Sequence, residues 1–192
     1  VVARWNPTTD FVIASIAAFQ PYVVTGEVAP PANPLTIPQF CLRFPDLDNV
    51  GVTGSHYTGF VMMGEHAFVE PKKYDVNKYC ADHLEWLQKG LELKLEHVTI
   101  HEDAWEGGGN FGPSVEFFSG GVELSNQVYM QYEQTASGNR DLKIKVLDMG
   151  QGQERAAWFS QGVPNSFEST FPDVIKKLRK ETGVGYDKEL KE

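Results

Sequence analysis

Two histidines, His97 and His101, stand four residues apart, the spacing that lets two imidazoles bind one metal ion from a single helix face. Val98 and Ile100 alternate with the polar residues around them, which is the two-residue period of a β-strand. Residues four apart on a strand lie roughly 13 Å from each other, too far for one ion. We therefore predict solvent-facing strand histidines. Because the sequence holds no other cluster of cysteine and histidine, we expect no protein-bound zinc.

Two glycine clusters are candidates for binding phosphate through backbone N–H groups. The first, at 107–109, lacks the Lys-Ser/Thr pair of a P-loop. The second, Gly150-Gln151-Gly152, lacks the third glycine and the βαβ unit of a dinucleotide fingerprint. Taken alone, each cluster predicts a turn. A serine nucleophile has no support, because the sequence contains no G-x-S-x-G motif.

Two arginines are the strongest candidates for binding an anion. Arg43 stands inside an apolar strand between Leu42 and Phe44, where a guanidinium needs an anion or a carboxylate. Arg155 lies at the start of a helix, directly after a strand. The pair is able to bind the oxygens of a triphosphate bidentately. The alternative is a pair of structural salt bridges, and the residues alone favour that alternative slightly.

The elements that must position these residues follow from hydrophobic periodicity and turn residues. We predict an extended, proline-rich connector at 27–38 and helices at 8–20, 74–93, 153–161 and 167–180. We predict strands at 39–44, 57–68, 96–102, 115–118, 122–132 and 142–149, the first two forming a hairpin with a long tip. Consecutive strands flanked by helices, without βαβ alternation, predict an α+β fold with one large antiparallel sheet.

Composition limits the class of protein. With 192 residues, of which 41% are hydrophobic, the chain is long enough for one domain spanning 1–192 with a real core. A net charge of −9 repels polyanions, so any contact with nucleic acid needs a local patch. The basic run 176–180 is one candidate, although a solvated helix face explains it better. No apolar run is long enough to cross a membrane, and two cysteines are typical of a cytoplasmic protein. We expect both ends to be cuts inside a longer chain.

Several short sequence motifs, which occur in order over nearly the whole chain, resemble those of archaeal-type alanyl-tRNA synthetases. They are PPANPLTI at 30–37, CLRF at 41–44, DLDNVG at 46–51, GEHAF at 64–68, WEGGGN at 105–110 and DMGQGQER at 148–155. This resemblance implies a class II synthetase-like antiparallel sheet. It also implies activation of L-alanine with ATP and Mg²⁺, followed by transfer to alanine tRNA.

The resemblance also implies roles for individual residues. Arg43 and Arg155 are similar to the catalytic motif 2 and motif 3 arginines, which bind the α-phosphate and the γ-phosphate of ATP. Phe60 is similar to the phenylalanine that stacks on adenine, with His56 as a further ATP-binding residue. The resemblance places alanine against Trp105, Asn126, Val128, Asp148 and Gly150, with Asp148 on the ammonium group. Glu116 is the better candidate for binding Mg²⁺, ahead of Glu123.

The chain also departs from the family pattern at three positions. Family members commonly carry Arg at the position of Ser55, Glu at that of Val61 and Leu at that of Gln153. The alternative hypothesis is therefore a synthetase-derived paralogue that binds a nucleotide or an amino acid without turnover. Since Arg43, Phe60, Asp148 and Arg155 are all present, we favour the enzyme. An editing function and most tRNA contacts are expected outside these residues.

Overall fold

The computed structural model describes residues 10–185 and contains one six-stranded sheet. The strands are β1 (Leu35–Leu42), β2 (Gly59–Val69), β3 (Val98–Gly107), β4 (Asn110–Ser119), β5 (Val122–Thr135) and β6 (Gly138–Gly152). Their spatial order is β1-β2-β6-β5-β4-β3, and every neighbouring pair is antiparallel. The predicted α+β fold, its single antiparallel sheet and the first hairpin are confirmed.

Four α-helices accompany the sheet in the described residues. They are α1 (Val76–Lys89), α2 (Gln153–Gln161), α3 (Ser166–Thr170) and α4 (Pro172–Thr182). The bounds of α2 match the prediction, whereas the single helix predicted at 167–180 is wrong. Phe171, with φ −130° and ψ +51°, lies outside the helical region and separates two short helices. Pro172 begins the second helix because proline fits the first helical turn. None of the helices within 10–185 has the length and apolar character that crossing a bilayer requires.

The helix predicted at 8–20 is also wrong over the residues that the structure describes. Only Ser15–Ala18 are helical, as one 3₁₀ turn, and positions 8 and 9 lie outside the described residues. The carbonyl of Val12 accepts the backbone N–H of Leu42, which ties this part of the segment to the end of β1. Val12, Ala14, Ile16 and Ala17 are all buried, so the apolar spacing reflects contact with the core and not one face of a helix.

The proline-rich connector is shorter in the structure than we predicted. We expected no strand before about Pro38, yet β1 begins at Leu35 and includes Pro38. β1 is an edge strand that pairs only with β2, and an edge strand tolerates the missing N–H of proline. In the same way, β4 begins at Asn110 and passes through Pro113, where the register with β5 shifts.

The two faces of the sheet are covered differently. One face, which we call the N-terminal face, includes Met62, Val128 and Val146 and packs against the N-terminal segment 11–24. The opposite face, which we call the helix face, carries Phe117 and packs against Leu87 of α1. Because neighbouring residues on a strand point to opposite faces, the parity of a residue in β5 and β6 decides which layer it contacts. The uncovered part of the N-terminal face is where a ligand has room.

Candidate functional site

A cavity of about 200 Å³ opens on the N-terminal face of the sheet. Six of the residues assigned to ATP or alanine by the resemblance line it: Arg43, His56, Phe60, Asn126, Gly150 and Arg155. They come from the loop between β1 and β2, from β2, β5 and β6, and from the first turn of α2. Residues up to 112 positions apart in sequence thus share one cavity, which indicates a single binding site.

Arg43 lies just past the end of β1 and over an aromatic ring. Its Nε donates to the carbonyl of Ile13 at 2.9 Å, and its Cζ lies 5.4 Å from the centroid of the Phe60 ring. This distance is within the range of a cation–π interaction. Arg43 is exposed to solvent, so its charge is available at the mouth of the cavity.

Arg155 is held from two sides. Its Nη1 donates to the carbonyl of Glu123 at 2.7 Å and lies 3.6 Å from Glu123 Oε2, while its Nε donates to the carbonyl of Ser55 at 3.5 Å. β6 runs directly into α2 at Gln153, so the helix carries Arg155 to this position. The structural salt bridge that we considered for Arg155 is therefore present, and it leaves the guanidinium lining the cavity.

Glu154 is a residue of the cavity whose role we did not predict. Its two carboxylate oxygens accept the backbone N–H of Val61 at 2.9 and 3.2 Å. The pairing of β2 with β6 begins only at Met62 and Gly152, so the Glu154 side chain takes the place of a strand partner for Val61. In sequence, the only signal was the position of Glu154 next to Arg155.

Residues near the tip of the β1–β2 hairpin form a small hydrogen-bonded group. His56 Nδ1 shares a hydrogen bond with Thr53 Oγ1 at 2.5 Å and contacts Ser55 Oγ at 3.3 Å. Ser55 is buried, and its carbonyl is the one that accepts Arg155 Nε. His56 and Ser55 therefore line the cavity together, on the side opposite the strands of the sheet.

The residues assigned to alanine share the N-terminal face of the sheet. The cross-strand register aligns Gly150 with Asn126, and Asp148 with Val128 in the next row. Trp105 is half-buried and packs on the cluster of the N-terminal segment. Asn126 and Gly150 line the cavity, whereas Trp105, Val128 and Asp148 lie behind it and are not among its lining residues.

Asp148 is almost fully buried and lies beside a buried histidine. Its exposed fraction is 5%, and its Oδ1 lies 3.3 Å from Nδ1 of His66, whose exposed fraction is 0%. The two residues are directly opposite each other on β6 and β2. We did not single out His66 in the sequence, because no motif linked it to Asp148.

The acidic residues assigned to Mg²⁺ lie on the same face of the sheet. Glu116 is aligned with Asn126 on β5 and with His101 on β3. Burial raises the pKa of Glu116, and the negative charges of Glu123 and Asp103 raise it further, while His101 opposes them. A cation between these carboxylates would relieve that repulsion. Mg²⁺ is commonly bound by one or two carboxylates together with substrate phosphates, so these residues fit it. No group of three or more potential ligand side chains for a metal occurs within 10–185.

The remaining sequence candidates occupy structural positions. His97 ends a 3₁₀ turn before β3 and His101 lies on the strand, so only the second is a strand histidine as predicted. Gly108 and Gly109 form the turn between β3 and β4 with φ of +61° and +83°, which favours glycine. The turn predicted at 150–152 is wrong, because these residues are the last three of β6.

Comparison with known proteins agrees with the fold. The family described as tRNA synthetases class II (A) matches residues 1–192. In solved structures of pyrrolysyl-tRNA synthetase from Desulfitobacterium hafniense, the same fold recurs with TM-scores of 0.51 and 0.52 at 13% and 14% sequence identity. These similarities cover 82% and 86% of this chain, and 52% and 56% of those chains. The chain belongs to the class II tRNA synthetase family.

More similar relatives are named alanine–tRNA ligase. The protein from Methanocella arvoryzae is 52% identical over 189 residues, covering 97% of this chain, and the one from Methanopyrus kandleri is 43% identical over 200 residues, covering all of it. The one from Pyrococcus furiosus is 42% identical over 96% of the chain. The predicted resemblance to archaeal alanyl-tRNA synthetases is thereby confirmed. The chain spans 22% of the length of each of these relatives.

Proposed function

We propose that this chain carries the site at which L-alanine is activated with ATP to alanyl-adenylate, before transfer to alanine tRNA. The observation that carries the proposal is the 52% identity to an alanine–tRNA ligase over nearly the whole chain. The cavity supports it, since Arg43 and Arg155 both line the same space. In this proposal the protein works in the cytoplasm, and its tRNA contacts are made mainly by segments outside these residues.

The arginines supply most of the chemistry in this proposal. The carboxylate of alanine attacks the α-phosphate of ATP, and pyrophosphate leaves. This step needs alignment and charge neutralisation but no nucleophilic side chain. Arg43 binds the α-phosphate and the alanine carboxylate, and Arg155 binds the γ-phosphate. Phe60 stacks on adenine, and His56 contributes to the same nucleotide site.

The alanine pocket is formed by two residues that line the cavity, Asn126 and Gly150, and by residues behind it. Asp148 accepts the ammonium group of alanine, while Trp105, Asn126, Val128 and Gly150 enclose the methyl group. Gly150 leaves no room for a side chain, since a Cβ there would lie 2.9 Å from the Sδ of Met62. Exclusion by size rejects larger amino acids, but glycine and serine are discriminated only weakly by such a pocket.

Glu116 and Glu123 are the residues that would hold Mg²⁺. When bound, the ion neutralises charge on the phosphates of ATP as the bond to pyrophosphate breaks. The contribution of the protein is to keep two carboxylates on one face of the sheet, beside the cavity that Arg43 and Arg155 line.

The alternative is a module that binds alanine or a nucleotide without turnover, because Ser55 and Val61 depart from the family pattern. The structure offers a reason to favour catalysis. The backbone carbonyl of Ser55 and the backbone N–H of Val61 are held by Arg155 and Glu154, and these bonds do not depend on the side chains at 55 and 61. These two backbone contacts around the cavity are therefore kept with Ser at position 55 and Val at position 61.

Alanine-dependent exchange of labelled pyrophosphate into ATP by the full-length protein tests the proposal. We expect exchange with the natural protein and a loss of at least about 100-fold with Arg155→Ala, as for the removal of one electrostatic stabiliser of a transition state. Lys177→Ala, an exposed cation on α4, is the control and leaves the exchange unchanged. Absence of exchange from a folded natural protein, together with tight binding of ATP, would favour the module.

A further inference from the structure

Three polar atoms without a hydrogen-bond partner meet next to Asp148. They are Ser15 Oγ and both ring nitrogens of His66, all buried, and none has a partner among the described residues. Ser15 and His66 each have an exposed fraction of 0%. Buried polar atoms are normally paired, so a group of three beside a buried carboxylate calls for an explanation.

The imidazole of His66 is fixed by its surroundings. Its ring centroid lies 5.1 Å from that of Phe19, which belongs to the N-terminal segment, and 6.5 Å from that of Phe68 on the same strand. Gly64 leaves space on the other side, because a Cβ at this position would stand 2.2 Å from Ser15 Oγ and 2.6 Å from His66 Nε2. The ring is packed with Nδ1 towards Asp148, and with Nε2 on the side of Gly64 and Ser15.

This orientation determines which nitrogen carries the proton. A carboxylate accepts hydrogen bonds, so the nitrogen that faces Asp148 Oδ1 at 3.3 Å must be protonated. In the neutral ring, Nε2 then carries no proton. Contacts of this kind are often long in a protein without its ligand and tighten when the ligand binds.

We infer that His66 is a positioning residue, which holds Oδ1 of Asp148 through Nδ1–H so that the other carboxylate oxygen is presented to the ammonium group of the amino acid. The inference rests on the proposed function, in which Asp148 binds the ammonium of alanine. His66 does not contact the substrate itself and acts only through Asp148. Its effect therefore falls on the binding of alanine and not on that of ATP.

Steady-state kinetics of the pyrophosphate exchange tests the inference in the full-length protein. His66→Phe removes both nitrogens, and we expect the KM for alanine to rise by about 10- to 100-fold, the range of one hydrogen bond to a charged group. The KM for ATP should change by less than about threefold. His66→Asn keeps an N–H near the position of Nδ1 and should restore most of the affinity for alanine. An unchanged KM for alanine in His66→Phe, or an equal rise in both KM values, would overturn the inference.

His83 supplies a matched control. It is also buried, with an exposed fraction of 2%, but it lies on the helix face, where its Nε2 shares a hydrogen bond with Ser125 Oγ at 2.6 Å. His83→Phe makes the same chemical change as His66→Phe but on the opposite face of the sheet from Asp148, and should leave the KM for alanine within about twofold of the natural value.

A second measurement does not depend on activity. The ¹⁵N chemical shifts of the His66 ring should show a proton on Nδ1 in the natural protein, and Asp148→Ala, which removes the acceptor, should move that proton to Nε2 while leaving the His83 signals unchanged. A ring of His66 with a bare Nδ1 in the natural protein would overturn the inference even if the exchange assay succeeds. If no alanine-dependent exchange occurs at all, the proposed function fails, and the ¹⁵N shifts still decide whether His66 holds Asp148.

Discussion

The carboxylate of Glu154 accepts the backbone N–H of Val61 at both of its oxygens, at 2.9 and 3.2 Å, and so links the first turn of α2 to β2. Phe60 and Arg155, the sequence neighbours of these two residues, both line the cavity. This contact between a side chain and the backbone therefore helps to fix the relative position of the proposed adenine and γ-phosphate sites.

Loss of the Glu154 carboxylate should weaken both the fold and the nucleotide site. Glu154→Ala leaves the half-buried N–H of Val61 without its acceptor, and we expect the free energy of unfolding to fall by about 1–3 kcal/mol. Glu154→Gln keeps one acceptor oxygen and should lose less. Urea denaturation measures both. Glu85→Ala, which removes only an exposed pair with Lys89 on α1, should cost less than about 1 kcal/mol. Equal losses for Glu154→Ala and Glu85→Ala would contradict the proposed link.

Phe60 should matter for ATP and not for alanine. Its ring lies under the guanidinium of Arg43, and stacking of a base on an aromatic ring contributes about 1–3 kcal/mol. We expect Phe60→Leu to raise the KM for ATP by about tenfold with little change in the KM for alanine. Phe60→Tyr keeps the ring and serves as the control. A selective rise in the KM for alanine in Phe60→Leu would show that the two substrate sites are assigned the wrong way round.

Glu116 should set the requirement for Mg²⁺. Glu116→Gln removes one of two neighbouring carboxylates, so we expect the Mg²⁺ concentration for half-maximal exchange to rise by about tenfold. Glu102 on β3 is exposed and aligned with Val115, so its strand position faces away from that of Glu116. Glu102→Gln changes the same charge elsewhere and should leave the Mg²⁺ dependence unaltered. If both variants respond alike, the ion is attracted by general surface charge and not by Glu116.

His83 should make the protein less stable in mild acid. Burial lowers the pKa of His83 to about 4, whereas a histidine in the unfolded chain titrates near 6.5. Between these values the unfolded state binds more protons than the folded state. Stability is therefore constant above about pH 6.5 and falls as the pH decreases towards 4, by a few kcal/mol in total.

The contribution of His83 is measured by comparing two variants in urea denaturation at several pH values. His83→Gln should lose most of this pH dependence between pH 6.5 and 4, whereas His101→Gln, at an exposed position on β3, should keep it. A natural protein and a His83→Gln variant with parallel pH profiles would show that His83 takes up its proton in the folded state as easily as in the unfolded one.

The sequence by itself determined the presence of six strands, the antiparallel sheet and the bounds of α2, whereas the ends of β3, β4 and β6 differ from the prediction by several residues. These features follow from local patterns, since alternating β-branched and aromatic residues between glycine turns specify strands without reference to distant parts of the chain. The resemblance also assigned roles to Arg43, Phe60 and Arg155, which the structure brings to one cavity, but it assigned none to Glu154. The chemistry of these side chains depends on residue type, and residue types can be matched to a family motif from the sequence alone.

Only the tertiary structure decided the conformation of the N-terminal segment and the partners of Glu154 and Asp148. The N-terminal segment is held by a backbone hydrogen bond from Leu42. Glu154 bonds to Val61, which lies 93 positions away in sequence. Asp148 on β6 lies beside His66 on β2. Periodicity within a segment reports that a residue is buried but not what it is buried against. Such partners exist only after the strands have paired, because pairing and burial override local preference and bring distant side chains together.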